Sequence, residues 1–154
     1  MEPDLFDNPL NGAEELAAVL DYSGVPYIRE EDLFRFCFAG HGCRWQMIGQ
    51  GVKNRVLIYA IHPTPVTDRT AALDVCSRIN TRIVTGSWYM QEERLVFRTD
   101  AHLIEACAAR EMILNALEYS AAVMTTFWNT MAQGATGRCE EMSFDAIFSR
   151  FGNK

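Results

Sequence analysis

Lysine is almost missing: only Lys53 and Lys154 occur in 154 residues. With a formal net charge of −6 and no basic cluster, the sequence offers no footprint for a phosphate backbone. Nucleic acid is therefore not an expected partner, and the acidic balance aids solubility while modestly favouring basic partners. No C-x-x-C pair occurs, and the five cysteines (Cys37, Cys43, Cys76, Cys107, Cys139) are scattered and odd in number. That pattern argues against a disulfide framework or a zinc knuckle. No apolar run approaches the ~18 residues of a spanning helix. The opening MEPDLFDNPL lacks the basic-then-apolar order of a secretory leader, so a reducing cytoplasm is the expected location and no membrane is expected as a partner. Repeats and low-complexity tracts are absent.

Fingerprints of chemistry are equally scarce. There is no G-x-S-x-G, P-loop or dinucleotide-binding glycine pattern. Cys107 and His102 lie five residues apart, which does not put them on one helical face, so a thiol nucleophile with an adjacent base is not supported. A soft metal site could draw on Cys37, His41, Cys43 and His62 around one hairpin, but the spacing is unspecific and buried free cysteine is common in cores. The expectation is a chain with no catalytic residues, no metal and no cofactor.

What is present is a well-punctuated single domain. About half the residues are apolar, and a chain of this length buries roughly two-thirds of its unfolded surface without staples. Asn11-Gly12-Ala13-Glu14 has the form of a capping box opening a first helix with Leu16, Val19 and Leu20 on one stripe. Ser23-Gly24 and Pro26 end it. Phe34, Phe36 and Phe38 alternate along a strand, Gly40-His41-Gly42 turns it, and Cys43–Ile48 returns with Trp45 and Met47 on one face. Gly49-Gln50-Gly51 suggests a second turn before Arg55–Ile61, whose near-continuous apolar run predicts a strand buried on both sides. Thr67-Asp68 can cap a second helix carrying Leu73, Val75, Cys76 and Ile79.

A hairpin over 86–98 follows, with Trp88 and Met90 on one face and Ser87 and Tyr89 on the other. The spacing of Ile113, Leu117, Ala121, Met124, Trp128 and Met131 predicts a long helix within 103–132, with the stretch 100–109 open to a loop reading. Gln133–Arg138 (QGATGR) suggests a break. Domain organisation is then one domain over 1–132 and an apolar extension over 133–154. The order is α-β-β-β-α-β-β-α, an α+β domain with a five-stranded, largely antiparallel sheet packed against helices.

Asn80, the run Gly86-Ser87-Trp88-Tyr89-Met90 and the strand end Val96-Phe97-Arg98, followed by a long helix, resemble the bacterial YbjN family. The resemblance covers 67–132 clearly and 13–62 more weakly. Trp88 and Gln91 depart from the family pattern, and the last residues lie beyond it. The resemblance implies a type III secretion chaperone-like fold, a non-enzymatic role as a chaperone or sensory transduction regulator, and a homodimer. Asn80, Gly86, Trp88 and Arg98 are the motif residues it marks. Their ordinary structural readings are a cap or backbone bridge for Asn80, a permitted turn for Gly86, and an ion pair with Glu92, Glu93 or Asp100 for Arg98. Trp45, Tyr59 and Trp88 are either core or a recognition surface.

The final residues carry Phe144, Ile147, Phe148 and Phe151 at helical spacing, and full burial of each such side chain is worth about 1.5–3 kcal/mol. They should therefore pack on their own domain, a second subunit or a partner. With Trp128 they are the candidate partner-binding residues. The leading expectation is a protein-binding module that captures a partner segment in an apolar groove or at a free sheet edge. The alternative is a small-molecule sensor with its ligand between sheet and long helix, near Trp45, Trp88 and Trp128.

Overall fold

A computed structural model describes residues 10–138, and these form a six-stranded antiparallel sheet with four α-helices. The elements in order are α1 (Gly12–Tyr22), β1 (Ile28–Glu30), β2 (Leu33–Gly40), β3 (Cys43–Val52), β4 (Arg55–Ile61), α2 (Arg69–Asn80), β5 (Ser87–Gln91), β6 (Arg94–His102), a 3-10 turn (Ala106–Ala108), α3 (Ala109–Thr126) and α4 (Trp128–Thr136). Strands lie in the order β1-β2-β3-β4-β6-β5, so β6 pairs with β4 and the last hairpin closes one end of the sheet. The predicted α+β class holds, with one strand more than expected. The added strand, β1, is three exposed residues at the sheet edge, too short for alternation to announce it.

Two local signals act as the sequence implies. Asn11 accepts the Glu14 backbone N–H at 3.1 Å and Asp68 accepts that of Ala71 at 3.0 Å, satisfying donors left open at the two helix starts. The Glu14 side chain does not reach back to complete the box. It pairs with Arg29 of β1 instead, tying the edge strand to α1 and holding the Glu14 carboxyl below its ordinary range.

Other signals are overridden by packing. Gly49 and Gly51 do not turn the chain; β3 runs through both, because these two positions leave room for α1. A β-carbon on Gly51 would lie 2.3 Å from the Ala13 nitrogen, and one on Gly49 would lie 2.5 Å from a Leu16 methyl. The turn comes later, at Lys53-Asn54, with Lys53 at φ 56°. The long helix is also divided. Strand β6 runs to His102, residues 103–108 form a loop and the 3-10 turn as the loop reading allowed, and the helix breaks again at Phe127, whose φ and ψ are −98° and 12°. Just before this break the Thr125 hydroxyl bonds the Ala121 carbonyl at 2.9 Å, a back-bond that bends helices. The new direction sets α4 across α2, where Gly134 lies buried against Val75. The sequence reads Gln133–Arg138 as a break, yet α4 continues through Thr136 and closes on Gly137 in the left-handed region.

All four helices pack on one face of the sheet. Phe34 and Phe36 of β2, Trp45 and Met47 of β3, Val56, Ile58 and Ala60 of β4, Trp88 of β5, and Leu95 and Phe97 of β6 point into that layer and are buried. Strand β4 is therefore not buried on both sides. Leu57, Tyr59 and Ile61 alternate onto the second face and stay half exposed.

Candidate functional site

The second face of the sheet carries no helix among the described residues. Its centre is apolar or aromatic: Ile48 from β3, Leu57, Tyr59 and Ile61 from β4, Val96 from β6 and Tyr89 from β5. The register aligns Arg35, Ile48, Tyr59 and Arg98 across four neighbouring strands, so one row runs from arginine to arginine over an apolar middle. In the next row Ile61 and Tyr89 flank Val96 from either side.

A depression of about 450 Å³, open to solvent, lies in this face. Ile48, Tyr59, Ile61, Tyr89 and Val96 form its apolar lining, and Gln50, Gln91, Glu92, Arg94 and Arg98 ring it. The Arg98 guanidinium sits 5.9 Å from the centre of the Tyr59 ring, within range of a cation–π contact. It forms no ion pair with Glu92, Glu93 or Asp100. Asp100 is taken by Arg55 at 3.2 Å. Arg35, Arg94 and Arg98 have no carboxylate partner among the described residues, so this face of an acidic protein is locally cationic. Burial pushes the Tyr89 phenol up, Tyr59 adds to the shift and Arg98 opposes it, leaving a neutral hydroxyl that donates to Gln91 at 3.2 Å.

The hairpin at the rim is strained. Glu92 and Glu93 form its two-residue loop with φ of 48° and 61°, the mirror-image turn that ordinarily takes Asn-Gly. The Glu93 carbonyl accepts the Val66 N–H at 2.9 Å, anchoring this tip to the segment leading into α2.

One sheet edge is partly closed to an added strand, and the other is short. On β5, Asn80 donates to the Trp88 carbonyl at 2.8 Å and accepts the Trp88 N–H at 2.7 Å. One side chain thus occupies the outward backbone groups of Trp88, two of those that a further strand would use. On the opposite edge β1 offers three residues, one of them Arg29 engaged with Glu14.

The predicted residues divide accordingly. Asn80 bridges backbone groups. Gly86 stands at φ +79°, where a β-carbon would also meet the Phe97 ring at 2.6 Å and the Arg98 carbonyl at 2.7 Å. Trp88 is core, with its ring centre 5.4 Å from that of Phe97. Arg98 alone of the four lies on the open face. Trp128 packs inside the helix layer, 6.1 Å from Trp45 and 4.5 Å from His62 between ring centres. Between sheet and helices, Trp45 and Trp88 are buried in the core and Trp128 is partly buried against it. Phe144, Ile147, Phe148 and Phe151 lie outside the described residues.

Cys37, His41, Cys43 and His62 do not converge. Cys37 is exposed on the open face, whereas His62 is fully buried on the covered one. His62 Nδ1 accepts the Thr64 N–H at 3.2 Å, which leaves Nε2 to donate to the Trp128 carbonyl at 3.0 Å. Burial lowers its pKa and that hydrogen bond partly opposes the shift, so the ring is held neutral. Tyr59 is the one aromatic of the Trp45, Tyr59, Trp88 group that faces outward. The polar alternation Arg44, Gln46, Gln50 against Trp45 and Met47 along β3 was the available signal for which face is open.

No family model matches the chain, and no curated protein matches it. Among solved structures it is similar to the crystal structure of YbjN from E. coli, a candidate transcription regulator, at 15% identity with a TM-score of 0.52. The match covers 83% of this chain and 93% of that one. At this identity the likeness shows a shared fold. No helix among the described residues is long and apolar enough to cross a membrane.

Proposed function

We propose that this protein is a non-enzymatic regulator or chaperone-like module that captures a segment of a protein partner on the open face of its sheet. The observation that carries the reading is the uncovered row from Arg35 to Arg98 with Ile48 and Tyr59 between, beside Ile61, Val96 and Tyr89. An apolar centre with an arginine rim suits a segment that combines apolar anchors with carboxylates. It suits a phosphate backbone poorly, because the middle of the patch is mostly apolar and its arginines stand apart at the rim. Strand addition is disfavoured by the Asn80 clamp, so the contact is made through side chains on the face. The expected partner is acidic, in contrast to the basic one that net charge alone suggested.

A homodimer, implied by the family resemblance, and a cytoplasmic location belong to the same reading, and the exposed thiols of Cys37 and Cys107 suit a reducing compartment. The small-molecule alternative moves to the same depression, whose volume of about 450 Å³ lies in the range of ligand sites. Its openness and its position on a sheet face favour a polypeptide. Native capture with quantitative mass spectrometry separates the readings. The full chain should recover one protein in stoichiometric amount. Tyr59→Asp and Arg98→Glu should lose it, while Val84→Asp, on a fully exposed loop position away from the face, should keep it. Equal recovery by all four proteins would sink the proposal.

A further inference from the structure

We infer that residues 139–154 of this same chain are the resident occupant of the open face, lying over Ile48, Tyr59, Ile61, Tyr89 and Val96 and competing there with the partner. The inference rests on the reading that this face is the binding surface. Three observations converge on it.

The first is where the described chain ends. Ala135 accepts the backbone N–H groups of both Thr67 and Asp68, at 2.8 and 3.0 Å, and Val66 donates to Glu93 at the tip of the last hairpin. Ala135, three residues before Arg138, is thus tied to the segment that also holds the hairpin tip next to Glu92 and Arg94 of the depression's rim. The five residues from Cys139 to Ser143 reach up to about 17 Å when extended, a span available for passing from that segment to the face.

The second is length and pattern. Phe144, Ile147, Phe148 and Phe151 recur at three-to-four-residue spacing. A helix of eight such residues is about 12 Å long, close to the ~14 Å from β3 to β5 at 4.7–4.9 Å per strand interval. The apolar stripe and the apolar middle of the face match in extent.

The third is charge. Glu140, Glu141 and Asp145 precede or flank the stripe, and the face presents Arg35, Arg94 and Arg98 without carboxylate partners among the described residues. Arg150 and Lys154 lie at the far end of the segment, so its acids are concentrated before and within the stripe, where they supply the sign that the face lacks. The partner's segment should then share this chemistry, an amphipathic stretch with acids beside aromatic or aliphatic anchors, because both compete for one surface.

The test uses the full chain labelled with fluorotyrosine, read by fluorine NMR with a soluble paramagnetic quencher. Tyr59 and Tyr89 report on the face, and Tyr22, exposed on α1, is the internal control. In the unaltered chain Tyr59 and Tyr89 should be quenched several-fold less than Tyr22. Phe148→Asp should raise their quenching several-fold without changing Tyr22, and Arg98→Glu should do the same from the other side of the contact. Phe148→Asp should also raise partner capture. Tyr59 and Tyr89 that are fully quenched in the unaltered chain, or unmoved by Phe148→Asp, overturn the inference. Shielding that disappears on dilution together with a fall from dimer to monomer mass also overturns it, since the occupant is then a second copy. If capture is lost in Tyr59→Asp while the shielding never depends on Phe148, only this inference fails. If the shielding behaves as expected but face variants leave capture intact, the functional proposal fails and the docking stands.

Discussion

Strand β4 presents two different surfaces from one run of seven apolar-rich residues. Val56, Ile58 and Ala60 are completely buried under the helices, whereas Leu57, Tyr59 and Ile61, one residue out of step, remain half exposed. Composition hardly distinguishes the two sets. What separates them is that α1 to α4 all lie on one side. On the covered face an apolar side chain is explained by the core it fills. On the open face it fills nothing in the described domain, so its presence there asks for an occupant.

The comparison can be broken most directly on β4 itself. Ile58→Ala should cost about 2–5 kcal/mol, the transfer loss plus the cavity left in a close-packed layer. Ile61→Ala, three residues further along the strand and on the open face, should cost only about 1 kcal/mol from burial within the described residues. Chemical denaturation of both variants checks this, and equal losses would mean that the open face is covered in the native protein. That outcome would agree with the docked segment inferred above.

A smaller effect separates the closed edge from the open face. Asn80→Ala removes both hydrogen bonds to Trp88 and leaves a backbone N–H and C=O of β5 without their partners, for a loss of about 2 kcal/mol. Arg98→Ala, exposed on the open face, should change stability by no more than about 0.5 kcal/mol. Denaturation midpoints for the pair sharpen the distinction between a residue that closes the fold and one left free for contact.

Smaller still, the hairpin rim should gain from relief of its turn. Replacing Glu92 and Glu93 by Asn and Gly puts residues that tolerate positive φ where two glutamates now sit, and should stabilise the fold by about 1–2 kcal/mol. A rise in melting temperature with unchanged capture would assign the glutamates no role in binding. A rise with altered capture would place them in the contact.

The least effect is expected from pH, and it lies on the covered face. His62 has a lowered pKa in the folded state because burial disfavours its charged form. Above the unfolded value of about 6.5 the ring is neutral in both states and contributes no pH dependence. As pH falls through that value the unfolded chain binds a proton that the folded chain does not, so stability declines until the lower folded value is passed. Denaturation midpoints between pH 7.5 and 5 should fall for the native chain and fall less for His62→Gln, which starts from a lower stability.

The sequence by itself determined the class of the domain and much of its local grammar. Caps at Asn11 and Asp68, the alternation of Phe34, Phe36 and Phe38, the hairpin with Trp88 opposite Tyr89, and the periodic positions of α3 are encoded over a few residues each, by hydrogen bonds and side-chain period that act locally. Gly86 was legible for the same reason, as a positive φ is a demand on one residue. The remainder depended on contacts remote in sequence. Glycines 49 and 51 signalled a turn until α1 came to rest on them, and the helix over 103–132 was one periodic stripe until Phe127 and the approach of α4 to α2 divided it. Asn80 read as a cap or a bridge between backbone groups, and only the fold identified the bridged strand, at Trp88 eight residues away. Above all, alternation along β4 fixes which residues share a face but not which face the helices will cover. Only the tertiary structure decided that, because burial is a property of neighbouring elements, and it is this decision that leaves Tyr59, Ile61 and Arg98 on the face without a helix among the described residues.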